Sequence, residues 1–201
     1  MKRVLAFFGA FNPLTVAHVE LARFAMEATG REGVVFVPSK ARYIRAEQGK
    51  DYAYDDDRRL EMLESVAESR PWMRVSDLEL RAKVQPRTYH TLCRLRDEQG
   101  LSPALLLGSD KLGELETVWR HVEAIAREFG FVCLTRGRDA CDRILKEDPY
   151  LAELAPWIRV IETPAALRDV SSTAVREKLA GIRTLRREIE QMVPAEILPL
   201  L

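Results

Sequence analysis

Thr15 and His18 stand three residues apart, where the chain reads as the first turn of a helix. At that spacing a hydroxyl and an imidazole share one helix face. A helix start also offers unpaired N–H groups and partial positive charge, so the set of donors suits phosphate oxygens. The approach to this turn is Gly9-Ala10-Phe11-Asn12-Pro13. Gly9 supplies backbone freedom or a close approach, and Pro13 fits a turn or the first helical position. A second cluster, Ser171-Ser172-Thr173, puts three hydroxyls before a helix that contains Val175 and Leu179. Arg176 comes about one turn later, where a guanidinium can grip anionic oxygens with two donors at once. A third group, Lys40, Arg42 and Arg45, forms a basic segment just after an apolar run.

These residues need a scaffold that brings them to one edge. Val4 to Phe8 is an apolar run of the kind that forms a strand buried on both faces. Gly33 to Pro38 repeats that pattern, and Ser39 to Arg45 then reads as a basic loop. Gln48 to Asp57 is polar and reads as a loop or flap. Helical periodicity runs from Arg58 to Ala67 and from Thr88 to Gln99, with Gly100 as a stop. Further strands are expected at Trp72 to Ser76, Leu105 to Gly108, within Phe129 to Thr135, and at Ile158 to Ile161. A helix begins near Ser109-Asp110-Lys111. Trp119 to His121 falls in or near a loop before a helix through Val122 and Ile125. A last amphipathic helix covers Leu185 to Met192, ahead of the apolar tail Ile197 to Leu201. Strands alternating with helices predict an α/β protein with a doubly wound, Rossmann-like parallel sheet. In such sheets ligand loops sit at the carboxyl ends of the strands, which is where Lys40 would face a phosphate.

Length and charge narrow the function classes. At 201 residues the chain suits a single domain spanning residues 1–201, with room for a full core. The 31 basic and 31 acidic residues balance, which argues against a general nucleic-acid or membrane-surface binder. No apolar run is long enough for a transmembrane helix and no signal-peptide pattern opens the chain, so a soluble cytoplasmic protein is expected. Cys93, Cys133 and Cys141 match no zinc spacing, and Cys133 lies in an apolar run that reads as core. No metal held by the protein's own side chains is expected.

The pattern Gly9-Ala10-Phe11-Asn12-Pro13-Leu14-Thr15-Val16-Ala17-His18 resembles the opening motif of the nucleotidylyltransferase superfamily. Val170 to Arg176 resembles its later I-S-S-T-x-(I/V)-R motif. Three further segments are similar to the nicotinate or nicotinamide mononucleotide adenylyltransferases. They are Asp77-Leu78-Glu79 with Thr88 to Leu92 after it, Leu107 to Leu112 with Trp119 after it, and Phe131 to Arg136. The resemblance implies that Thr15, His18 and Arg176 act on the triphosphate of ATP. Gly9, Ala10, Phe11, Asn12, Gly108, Asp110, Ser171, Ser172 and Thr173 would complete the ATP site. Lys40, Thr88, Trp119 and Arg136 would meet the pyridine mononucleotide, with Trp119 stacked on its electron-poor ring. Thr15 stands where many bacterial members have a first His, and Ala17 where many have Gly.

The activity implied by this resemblance is adenylyl transfer in NAD biosynthesis. The mononucleotide phosphate attacks the α-phosphorus of ATP and pyrophosphate departs, with Mg²⁺ arriving on the phosphates. The partners implied are small molecules, and a homo-oligomer is left open. Two other readings stand beside it: an adenylyl- or cytidylyltransferase for another phosphate acceptor such as phosphopantetheine, and a non-catalytic nucleotide sensor.

Overall fold

The structure, a computed structural model, describes residues 1–48, 54–135, 141–164, 175 and 186–201. The described strands are β1 (Lys2–Gly9), β2 (Gly33–Pro38), β3 (Met73–Val75), β4 (Leu101–Gly108), β5 (Phe131–Leu134) and β6 (Ile158–Ile161). They form one sheet in the order β3-β2-β1-β4-β5-β6, and every pairing is parallel. The order reverses between β1 and β4, so the crevice for a ligand opens above their carboxyl ends.

Side chains of alternate parity line two cores, as the period of a strand requires. Val4, Ala6, Val35, Val37, Leu105 and Leu107 face one side. Helices α4 (Thr88–Asp97) and α5 (Val122–Glu128) cover it with Leu92, Leu95, Val122 and Ile125. Two short helices, α6 (Cys141–Glu147) and α7 (Pro149–Leu154), extend the same layer. Leu5, Val34, Phe36, Ala104 and Leu106 face the other side, under α1 (Val16–Thr29) and α3 (Asp56–Ala67). Cys133 on β5 is fully buried, as its apolar run implied.

Two expectations are corrected. The basic segment after β2 is not a loop throughout: helix α2 spans Ala41–Gln48. Ala41 and Ile44, three apart, are buried and tie it to the molecule, while Arg42 and Arg45 stay on its exposed side. The Ala41 N–H donates to Asp56 Oδ1 at 2.6 Å, which satisfies one of its first-turn donors. Strand β4 also begins four residues earlier than Leu105, despite Pro103. The Leu105 N–H points toward β5, so Pro103, two residues before it, turns its donor-less nitrogen to the same side, below the start of β5.

The apolar tail turns back on the molecule. After α8 (Arg186–Glu190), a 3-10 turn at Ala195–Leu200 packs on α3, and Ile197 is fully buried there. Arg70 pairs with Glu196 at 2.6 Å beside it.

Candidate active site

The turn after β1 is built around Phe11. Its φ of 44° lies in the left-handed region, a conformation that costs a non-glycine residue about 1 kcal/mol or more. The ring is 2% exposed and packs within 5.4 Å of Phe7, Phe36 and His18. Gly9 is required by that ring, because a Cβ at Gly9 would meet Phe11 Cζ at 3.0 Å. Asn12 is fully buried, and its Oδ1 accepts the Tyr54 N–H at 2.9 Å. The Asn12–Pro13 peptide is cis.

Thr15 then caps α1. Its Oγ1 accepts the His18 N–H at 3.3 Å, and its own N–H donates to His18 Nδ1 at 3.1 Å. Thr15 Oγ1 also lies 2.7 Å from Nδ1. This is a capping box in which an imidazole takes the place usually held by Glu or Gln. A backbone N–H can only donate, so Nδ1 must carry its lone pair. In neutral His18 the proton therefore sits on Nε2. The box fixes the tautomer as well as the ring plane, and Phe7 and Phe11 hold the ring from the sides.

The other wall of the crevice comes from β4. The β1–β4 register reaches Phe7 opposite Leu106, so Gly9 and Gly108, each two residues on, end the strands side by side. Ser109 is buried and Asp110 exposed at the start of the 3-10 turn Ser109–Glu114. Thr88 opens α4, whose N-cap residue Arg87 gives no side-chain cap. Trp119 is half-buried on the loop before α5 and packs against the core on the α4 side. Tyr89 and His121 rings lie 5.3 Å apart, which brings the Thr88 and Trp119 segments together. Lys40 sits at the end of β2, its ammonium bonded to the Leu80 carbonyl and 3.9 Å from Asp56. Arg136, Ser171, Ser172, Thr173 and Arg176 lie outside the described residues.

Sequence reasoning missed Arg59, which lay unremarked in the periodic stretch of α3. Its side chain is fully buried. The guanidinium donates to the Ala10 carbonyl at 2.7 Å, the Ser39 carbonyl at 2.6 Å and the Tyr54 carbonyl at 3.2 Å. It also pairs with Asp56 at 2.6 Å. One side chain thus ties together the turn after β1, the end of β2 and the entry to α3. Burial lowers its pKa and Asp56 opposes that shift. The signal available was a polar residue at a core position of an amphipathic helix, beside Leu60 and Leu63. Between α2, α3 and the 77–81 turn lies a groove of about 610 Å³ lined by Asp55, Asp56, Asp57 and Asp77. Arg81 also lines it and pairs with Asp77.

The parallel sheet, its switch point and the turn from β1 into α1 define a nucleotide-binding α/β fold of the nucleotidylyltransferase type. Residues 6–178 match the family described as cytidylyltransferase-like, and the chain belongs to that family. A relative from Symbiobacterium thermophilum, described as a probable nicotinate-nucleotide adenylyltransferase, is 32% identical over 193 residues. The match covers 92% of this chain and 88% of that one. A relative of the same description from Caldicellulosiruptor bescii is 26% identical over 191 residues, covering 95% and 93%. The Plasmodium falciparum nicotinic acid mononucleotide adenylyltransferase in complex with NaAD has the same fold. Its TM-score is 0.74 at 18% identity, over 100% of this chain and 94% of that chain.

Proposed function

We propose that the protein transfers the adenylyl group of ATP to nicotinate mononucleotide in NAD biosynthesis, with release of pyrophosphate. The observation that carries this reading is the Thr15–His18 box, which fixes the His18 ring in the first turn of α1, just after the turn that ends β1. The relatives' descriptions supply the acceptor.

An oxygen of the mononucleotide phosphate attacks the α-phosphorus of ATP. The bond from that phosphorus to the bridging oxygen breaks, and pyrophosphate carries away the electron pair. Such a transfer asks the protein for position and charge stabilisation more than for covalent chemistry. His18 donates from Nε2 to a phosphate oxygen at the reacting centre, and the positive end of the α1 dipole assists. Gly9 and Phe11 shape the turn so that backbone rather than side chain meets the nucleotide, and Asn12 holds that turn. Ser171, Ser172, Thr173 and Arg176 take the β- and γ-phosphates. Trp119 and Thr88 receive the pyridine end, with Lys40 and Arg136 on its phosphate side and Asp110 between the two substrates. Magnesium would arrive with the substrate on its phosphate oxygens and would supply charge neutralisation for the departing pyrophosphate.

The test is pyrophosphate release with Mg-ATP and, in turn, nicotinate mononucleotide, nicotinamide mononucleotide and phosphopantetheine. The expected result is turnover with nicotinate mononucleotide at the highest kcat/KM. Turnover with phosphopantetheine alone would move the protein to another branch. Silence with all three in a folded, ATP-binding sample would leave a nucleotide sensor.

A further inference from the structure

Glu79 is a carboxyl group that the adenylyl transfer does not use. It is 1% exposed, in the turn between β3 and α4. Thr91 Oγ1 donates to its Oε1 at 3.0 Å, the Gln85 amide donates to its Oε2, and the Ser39 hydroxyl adds a third hydrogen bond. These three donors come from three places: the end of β2, the 76–87 turn and the first turn of α4. Gln85 is itself oriented, because its Oε1 accepts the Lys40 N–H at 2.8 Å. Its NH₂ must therefore point at Glu79.

We propose, on the basis of the function proposed for the site, that ionised Glu79 is a positioning residue for the second substrate: it locks Ser39-Lys40 to the start of α4, and its protonation loosens that half of the site. The geometry gives the reason. A carboxylate accepts from all three donors without conflict. A protonated carboxyl has to place its own hydrogen, and only the Ser39 or Thr91 hydroxyl can turn round to accept it, since Gln85 is held by Lys40. That hydroxyl must turn its own hydrogen away from Glu79 and so loses the carboxylate as its acceptor in a buried setting, which weakens one of the ties to β2 or α4.

The charged groups around Glu79 are engaged elsewhere. Lys40 is bonded to the Leu80 carbonyl and faces Asp56. Asp77 pairs with Arg81 in the same turn. On α4, His90 leans on Tyr89 and His121, and Arg94 is bonded to Glu98. Among the described residues no ion pair with Glu79 offsets its burial. Burial pushes its carboxyl up to about 7, against the pull of the hydrogen bonds from Gln85, Thr91 and Ser39. The switch between the two forms thus falls in the working range of pH.

The test is the KM for nicotinate mononucleotide and for ATP from pH 6 to 8.5 in the wild type, Glu79→Gln and Gln85→Leu. The substrate phosphate also titrates near pH 6, so the quantity read is the ratio of wild-type to Glu79→Gln KM at each pH. Because Gln stands for the protonated form, the expected ratio climbs from about one-tenth at pH 8.5 toward one at pH 6, a roughly tenfold change, the worth of one net hydrogen bond. The KM for ATP should give a flat ratio. Gln85 is only half-buried, and its Leu variant keeps a titrating Glu79 with one donor fewer, so its inflection should move to higher pH. A flat mononucleotide ratio, or an inflection in Gln85→Leu that stays where the wild type has it, overturns the inference while leaving the proposed function intact. No turnover with any pyridine mononucleotide at pH 8.5 overturns the proposed function and this inference with it.

Discussion

At the residue scale, the proposed site rests on one imidazole. Its Nδ1 accepts the Thr15 N–H, which puts the proton of neutral His18 on Nε2. His18→Ala should lower kcat by about 10²–10³, the usual loss for one donor to a developing charge. Thermal unfolding of the same variant, expected to stay cooperative, separates that loss from misfolding. Thr15→Val keeps the backbone donor to Nδ1 but removes the hydroxyl that accepts the His18 N–H. It should cost about 1 kcal/mol of stability by urea titration, the worth of an N-cap, with a smaller fall in kcat than His18→Ala. The spacing of Thr15 and His18 was legible in the sequence because both lie in one local turn. The capping box was not: Ser or Thr with Glu or Gln is its familiar signature, and an imidazole in the second place carries no such mark.

At the element scale, the loops that form the crevice are held by contacts between distant parts of the chain, and these were the least legible features. Strands β1 and β2 announced themselves through apolar runs, and β2 begins and ends where Gly33 and Pro38 mark it, whereas β4 starts ahead of its run. Helix α2 hid inside a basic stretch, because only Ala41 and Ile44 reach the core and two buried positions are too few for a visible period. Arg59 hid because its partners are backbone carbonyls 5, 20 and 49 residues away, invisible to any pattern of side chains. Arg59→Lys tests its role. An ammonium cannot span the Ala10, Ser39 and Tyr54 carbonyls together, so at least one buried acceptor loses its partner, a loss of about 3 kcal/mol at most for that group. The KM for ATP should rise more than kcat falls, because the turn that carries Phe11 and Asn12 is displaced while His18 stays on α1. An unchanged KM for ATP in a destabilised Arg59→Lys protein would confine Arg59 to folding. Gly33→Ala offers the contrast. Its Cβ would lie 2.9 Å from the Trp72 backbone oxygen, far from the crevice end of β2. It should lose about 1–3 kcal/mol to overpacking and leave both KM values where they were.

At the scale of the whole molecule, alternation of strands and helices was enough to fix the doubly wound sheet, because a parallel strand needs a crossover and a crossover needs a helix. What that alternation left open was the apolar tail, which the structure seats on α3. The end of the chain also reaches the site: the Met192 carbonyl accepts the Val16 N–H at 2.9 Å, in the first turn of α1. Ile197→Ala should therefore destabilise by about 2–5 kcal/mol, as a fully buried truncation does, and kcat at low temperature should persist because Met192 lies ahead of the tail turn.

Linkage between protons and folding supplies a second test at this scale. The Glu79 carboxyl holds its proton up to about pH 7 when folded, and releases it near 4.5 when unfolded. Between those values the folded state binds more protons, so stability is greatest below about pH 4.5 for this group and falls as pH rises toward 7. Glu98 and Asp97 behave in the opposite sense: hydrogen bonds from Arg94 and Arg96 hold them below the usual carboxylate range. Their contribution is already complete above their unfolded values and is lost only in more acidic solution. The window from about pH 5 to 7 therefore isolates Glu79 from them. Denaturant titrations of the wild type and Glu79→Gln across that window should converge at the acid end and separate toward neutral pH, with the Gln variant the more stable. Parallel curves would mean that Glu79 has the same proton affinity folded and unfolded, and that its three hydrogen bonds fully offset its burial.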